Sequence, residues 1–141
     1  MKDCNTPVTL ADTVISLMLE IKDREQYIRD ALEYSGGTHT FDDIVGMIAQ
    51  GRVRWWPLPN SFLVTEVLEY PQAKHYHVFL AGGDLEEIKS TQKALEAAAE
   101  QCGCCKLTLS GRRGWIKALK DLNWKEYCTT VAYDIDCNNE N

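Results

Sequence analysis

Residues 75–101 read HYHVFLAGGDLEEIKSTQKALEAAAEQ, and this stretch decides the fold. Its strand, His75–Ala81, ends in four consecutive apolar residues, Val78-Phe79-Leu80-Ala81. A continuous apolar run of this kind belongs to a strand covered on both faces. Gly82-Gly83-Asp84 closes the strand. From Leu85 to Gln101 the period lengthens to that of a helix: Leu85, Ile88, Gln92, Leu95 and Ala99 share a face, and Ala97-Ala98-Ala99 has high helix propensity. Asp84, Glu86 and Glu87 put carboxylates at the end of the helix where the dipole favours anions.

Downstream, Lys106–Leu109 alternates as a short strand. Trp115, Ile116, Leu119 and Leu122 mark the buried stripe of a further helix. Glu126–Asp134 reads as a last strand, with Tyr127, Thr129, Val131 and Tyr133 on one face. Residues 136–141 form a polar tail. The second half is therefore strand–helix–strand–helix–strand, and a strand, crossover helix and parallel strand make a right-handed unit.

Upstream, residues 9–34 carry helical spacing through Leu10, Val14, Leu17, Met18, Ile21, Tyr27, Ile28, Ala31 and Leu32, stopped by Ser35-Gly36-Gly37. A shorter helix comes next, with Thr40 as N-cap, Asp42 and Asp43 in its first turn, and Gly51 at its end. Arg52–Leu58 and Ser61–Tyr70 are rich in β-branched and aromatic residues, and the turns at 57–61 and 70–74 make an antiparallel meander with His75–Ala81. The expected organisation is one α/β (α+β) domain with a mixed sheet: N-terminal helices over 6–51, a meander over 52–81, helix–strand–helix–strand over 82–135, and a tail over 136–141.

The 141 residues suit one domain, and 45% hydrophobic with 26% charged residues is ordinary for a globular protein. The polar opening, Lys2, Asp3 and Asn5, does not read as a leader peptide, and Val14–Leu19 is too short and broken for a bilayer. A cytoplasmic protein is expected, with no membrane partner. A formal charge of −6 works against direct binding to nucleic acid or anionic lipid. Six cysteines without a leader suggest reduced thiols. Cys102-Gly103-Cys104-Cys105 lacks the paired spacing of structural zinc sites, so no metal is expected; Gly103 suits a helix terminus instead.

The order of elements resembles the GCN5-related N-acetyltransferase (GNAT) fold, in which two helices and a three-strand meander precede helix, strand, helix and strand. The resemblance spans essentially the whole chain. Short pieces also resemble small GNAT-like proteins of tailed bacteriophages and prophages: Thr65-Glu66 with Tyr70-Pro71, Phe79-Leu80-Ala81-Gly82-Gly83, and Gly111-Arg112-Arg113-Gly114-Trp115 with Leu119 and Asn123-Trp124. The resemblance implies acetyl-CoA, or another acyl-CoA, held by backbone at Leu80, Ala81, Gly82 and Gly83 and by the Arg112, Arg113 and Trp115 segment. The same resemblance puts Leu119 where the family's tyrosine protonates the departing thiolate, and puts Asp84, Glu86 and Glu87 beside the pyrophosphate loop.

Two functions are compatible with these residues. One is an acyl-CoA-dependent N-acyltransferase. The other is a GNAT-like phage protein without catalysis, acting through protein contacts in virion assembly, DNA ejection or interference with host defence, in the host cytoplasm or in the virion. For catalysis the candidates are Glu66 or Glu69 as a base, only one of which faces inward on its strand, His77 as a proton carrier next to His75 on the same face, and Tyr127 as an acid. Each has a plain alternative: a solvated strand face for the glutamates, a strand-edge pair for the histidines, and core packing for Tyr127. Arg112 and Arg113 oppose the dipole of the helix they precede, so a phosphate, an acidic partner or a salt bridge should balance them. Trp55 and Trp56 point to opposite faces; one exposed ring would suit a protein contact, and burial of both would make them core.

Overall fold

The structure, a computed structural model, describes residues 10–135. Three helices come first: α1 (Leu10–Asp23), α2 (Glu25–Leu32) and α3 (Phe41–Ala49). The helical period over residues 9–34 is thus divided between two helices that meet at Arg24. The cause is tertiary. The Arg24 guanidinium donates to the carbonyls of Leu58 (2.9 and 2.7 Å) and Ser61 (3.2 Å), 34 and 37 residues away. It also donates to the Glu20 carbonyl at 2.9 Å. Helical spacing cannot report a side chain that is held by a distant turn. Thr40 caps α3 as expected, in a reciprocal capping box with Asp43, an arrangement worth about 1 kcal/mol.

The sheet is built from β1 (Arg54–Leu58), β2 (Ser61–Tyr70), β3 (Ala73–Gly83) and, after the crossover, β4 (Lys106–Leu109). Strand order is β1-β2-β3-β4. The first three strands are antiparallel neighbours and β4 runs parallel to β3. The β2–β3 register shifts at one point: Thr65 pairs with Val78 and Val64 with Leu80, leaving Phe79 as the extra residue. This bulge changes which face the side chains of β3 take. Val78 packs with Ile88 and Leu95 on one side of the sheet, whereas Leu80 packs with Ile28 and Ile44 on the other.

The crossover expected as one helix, Leu85–Gln101, is two: α4 (Leu85–Lys89) and α5 (Gln92–Gln101). Between them the Ser90 and Thr91 hydroxyls donate to the carbonyls of Glu87 (2.5 Å) and Ile88 (2.6 Å). Such local bonds compete with the helical ladder. Helix α5 ends at Gly103, whose φ of +74° lets the Cys104 amide reach the Ala99 carbonyl at 2.8 Å, a left-handed terminus that favours glycine. The chain then forms α6 (Gly114–Ala118) and a 3-10 turn at Lys120–Leu122. Of the expected stripe only Leu119 is fully buried, while Ile116 is 38% exposed.

The expected last strand, Glu126–Asp134, takes no part in the sheet, which has four strands among the described residues. Asn123 adopts a left-handed conformation (φ 69°), and the Trp124 indole donates to Gln92 at 2.9 Å. The chain is tied there to α5. Tyr127 then meets His75 (ring centroids 6.0 Å apart), which is paired with Lys106 at the start of the β3–β4 ladder. By Tyr127 the chain has therefore reached the end of that ladder, and the rest of the expected strand pairs with no strand among the described residues. The polar tail over 136–141 lies outside the described residues.

Both tryptophans of β1 are partly covered, on opposite faces. Trp55 stacks on Phe62 with centroids 5.9 Å apart. Trp56 donates to Thr65 Oγ1 at 2.9 Å and lies beneath the Arg54 guanidinium at 4.1 Å.

Candidate active-site cleft

The site arises where β3 and β4 part. Their parallel register covers four pairs, from His75–Lys106 to Val78–Leu109, and the Ser110 amide reaches the Val78 carbonyl at 3.4 Å. Beyond Val78, β3 keeps β2 on one side and has no strand neighbour on the other among the described residues. Peptide groups there face open space, where a ligand with amide groups can pair with them. The bulge at Phe79 lies at the point of divergence.

The divergence opens on a cavity of about 800 Å³ between the sheet, α2 and the loop after β4. Its floor includes Glu66, His77 and the Phe79–Gly83 backbone. One wall is Tyr27, Asp30 and Tyr34, and the other is Ser110, Arg112 and Trp115. A volume of this order is ordinary for a small-molecule site. Seven residues singled out from the sequence therefore share one cavity with Glu66: His77, Leu80, Ala81, Gly82, Gly83, Arg112 and Trp115. Three others are not among its lining residues. Glu69 is exposed on the opposite face of β2, Arg113 is exposed beside α6, and Tyr127 is 63% exposed in a separate small depression with Tyr70 and His75.

Glu66 and His77 are register partners across β2 and β3. Burial pushes the Glu66 carboxyl above its usual range, against the pull of Arg52 and His39. Burial also pushes the His77 imidazole below its usual value, helped by His75. Burial thus favours the neutral form of both groups. Thr108 Oγ1 lies 2.8 Å from His77 Nδ1, which fixes the ring and leaves Nε2 as the free nitrogen. Thr108 carries no signal in the sequence because only the parallel register sets it beside His77. Tyr34, at the far wall, has no sequence signal at all.

Arg112 has no carboxylate within 4.0 Å among the described residues. Its guanidinium lies over the Tyr34 ring at 4.9 Å, so the two residues bridge the cavity mouth, and the hydrogen-bonding edge of the guanidinium remains available.

Gly82-Gly83, expected as a loop, are the end of β3, paired with Phe62 and Ser61, and with Asp84 they behave differently from a phosphate cradle. Asp84 accepts from the Glu86 and Glu87 amides at 2.9 and 3.3 Å, satisfying the donors that an incoming phosphate would use. Glu87 accepts from the Asn60 amide at 2.9 Å and from the Ser61 hydroxyl, which holds its carboxyl below its usual range. Gly83 has φ +108°, and a side chain there would collide with the Asn60 carbonyl and Ser61. The loop is locked to the β1–β2 turn.

No three His, Cys, Asp or Glu side chains converge as a metal site among the described residues. Cys102, Cys104, Cys105 and Cys128 are free thiols. No helix among the described residues is long and apolar enough to cross a membrane.

Neither family models nor curated proteins match the sequence. Solved structures do match in fold. A Thermus thermophilus protein aligns over 84% of this chain and 95% of its own, with TM-score 0.53 and 16% identity. An acetyltransferase from Trypanosoma brucei covers 67% and 78%, with TM-score 0.52 and 12% identity. A probable acetyltransferase covers 94% and 97%, with TM-score 0.55 and 9% identity. The chain has the mixed α+β, GNAT-like fold of these acetyltransferases.

Proposed function

We propose that this chain is an N-acyltransferase of GNAT type that uses acyl-CoA. The observation that carries the reading is the parting of β3 from β4 above the Glu66–His77 pair. The edge of β3 at Phe79–Gly83 that faces away from β2 suits an extended thioester arm carrying amides of its own. Glu66, or His77 through its free nitrogen, would take the proton of an acceptor ammonium. The amine nitrogen then forms the new C–N bond and gives up its second proton to water, and the C–S bond breaks with its electron pair on sulfur. Leu119 supplies no proton to that sulfur. Thiols ionise near pH 8.5, so a thiolate can leave unassisted and take its proton from water, at some cost in rate. Arg112 at the cavity mouth is the phosphate-binding candidate, and Trp115 lines the same wall.

A second reading is favoured by Asp84 and Leu119. Asp84 fills the amides that usually receive a pyrophosphate, and Leu119 is buried where an acid would stand. On that reading the chain keeps an acetyltransferase fold for protein contacts, as a phage protein of virion assembly, DNA ejection or host-defence interference.

Calorimetric titration with acetyl-CoA separates the two. The acyltransferase reading expects binding that Arg112→Ala weakens about tenfold, the worth of one charge-assisted hydrogen bond. It also expects thiol release when a panel of amines is added. Absence of binding at millimolar acetyl-CoA overturns it and leaves the second.

A further inference from the structure

The chain has three histidines, and they are not equally satisfied. His39 meets the Thr38 hydroxyl and His77 the Thr108 hydroxyl, each at 2.8 Å. His75 is only 9% exposed and has no hydrogen-bond partner among the described residues. No fully enclosed side-chain nitrogen or oxygen among those residues lacks a partner, so the His75 nitrogens still reach the surface. A polar ring placed this deeply costs free energy until something bonds to it.

The surface it reaches is a depression of about 350 Å³ lined by Tyr70, Gln72, Ala73, His75 and Tyr127. Two parts of the fold build it. The β2–β3 hairpin sets Tyr70 opposite Ala73, and the segment that follows Trp124 brings Tyr127 alongside. The Tyr70 ring lies 5.0 Å from the imidazole at 59° to its plane, and the Tyr127 ring 6.0 Å away at 74°. Two phenol rings thus stand steeply beside the imidazole, 51% and 63% exposed. Ring faces and edges presented in this way suit a flat aromatic guest.

Charge decides what that guest carries. Aromatic enclosures often take quaternary ammonium groups, but the charges here oppose a cation. No carboxylate is among the lining residues. Glu69 is on the other face of β2, and the Glu126 carboxylate accepts from the Thr129 hydroxyl at 2.7 Å. Lys106 is the register partner of His75, and its ammonium lies 4.9 Å from the centre of the Tyr127 ring. An imidazole N–H and an ammonium are both donors, which an anionic oxygen pair matches.

We propose that the depression at His75 binds a flat aryl carboxylate, with its ring against Tyr70 and Tyr127 and its carboxylate on the His75 imidazole and the Lys106 ammonium. The site lies apart from the acyl-CoA cleft and does not rest on the acyltransferase reading.

Proton NMR of the full chain with benzoate as probe tests the proposal. The His75 ring signal, identified by its absence in His75→Asn, should shift saturably with a dissociation constant of about 1 mM, the order expected of so small a ligand. Tyr70 and Tyr127 are more than half exposed, so folding tolerates their loss. Tyr70→Ala and Tyr127→Ala should each weaken binding about fivefold, and Lys106→Met about threefold. Benzyltrimethylammonium should leave the signal in place. Absence of saturation up to about 50 mM benzoate, roughly fifty times the expected constant, overturns the proposal. So does saturation that survives the paired Tyr70→Ala and Tyr127→Ala substitutions, or tighter binding of the ammonium probe than of benzoate.

Discussion

Glu66 and His77 face the same cavity from adjacent strands, paired with each other in the β2–β3 ladder, and burial moves their proton affinities in opposite directions. The folded chain holds the Glu66 proton more tightly than the unfolded chain does. The stability this gives is complete below about pH 4.3 and is lost as pH rises through the raised folded value. His77 has the opposite sign. Its contribution is complete above about pH 6.5 and is lost as pH falls through the lowered folded value. Urea unfolding across pH 4–8 should therefore find Glu66→Gln more stable than the parent near neutrality. His77→Asn should flatten the loss on the acid side. Identical pH slopes in parent and variants would refute both assignments.

Asp84 occupies the amides at the start of α4. Replacing it with alanine should lower stability by about 1 kcal/mol, the usual worth of an N-cap. It should also tighten acetyl-CoA binding, since a carboxylate leaves and two donors become free. Calorimetry on Asp84→Ala checks this; unchanged binding would mean that the phosphates avoid this segment.

Gly83 combines positive φ with direct contact to the β1–β2 turn. Gly83→Ala should cost about 3 kcal/mol through backbone strain and the displaced turn. Gly46 in α3 has open space around it, so Gly46→Ala should be neutral or slightly stabilising by about 0.5–1 kcal/mol. Thermal melts of the two variants should move in opposite directions or differ by many degrees.

Thr65 is fully buried and links two aromatic residues: it accepts from the Trp56 indole at 2.9 Å and lies 3.0 Å from the Tyr76 hydroxyl. Thr65→Val preserves the shape and orphans both groups, so a loss of about 3 kcal/mol is expected in urea. A loss below about 1 kcal/mol would mean that water replaces the hydroxyl.

Local pattern reads much of the fold correctly. Ser61–Tyr70 has the limits that its composition and flanking turns assign it, Lys106–Leu109 those that alternation assigns it, and Thr40 caps where a threonine before two aspartates should. Pattern fails where a distant group intervenes. Arg24 interrupts a helical period because the β1–β2 turn holds its side chain, and Ser90-Thr91 divides the crossover through its hydroxyl bonds. Glu126–Asp134 has strand composition, but composition does not supply a neighbour. In the cleft, alternation separates Glu66 from Glu69 in principle, and only the β2–β3 register chooses between them.

The bulge at Phe79 has a bearing on how the chain can vary over time. Because Phe79 is the extra residue between the pairs Thr65–Val78 and Val64–Leu80, its loss would make Val78 and Leu80 neighbours that still serve opposite cores by plain alternation, with Gly83 still opposite Ser61. Loss of a residue nearer the start of β3, where pairing is one to one, would instead turn the side chains between it and the bulge to the wrong face. Descendants of this sequence can shed a residue of β3 at the bulge more readily than anywhere else along the strand.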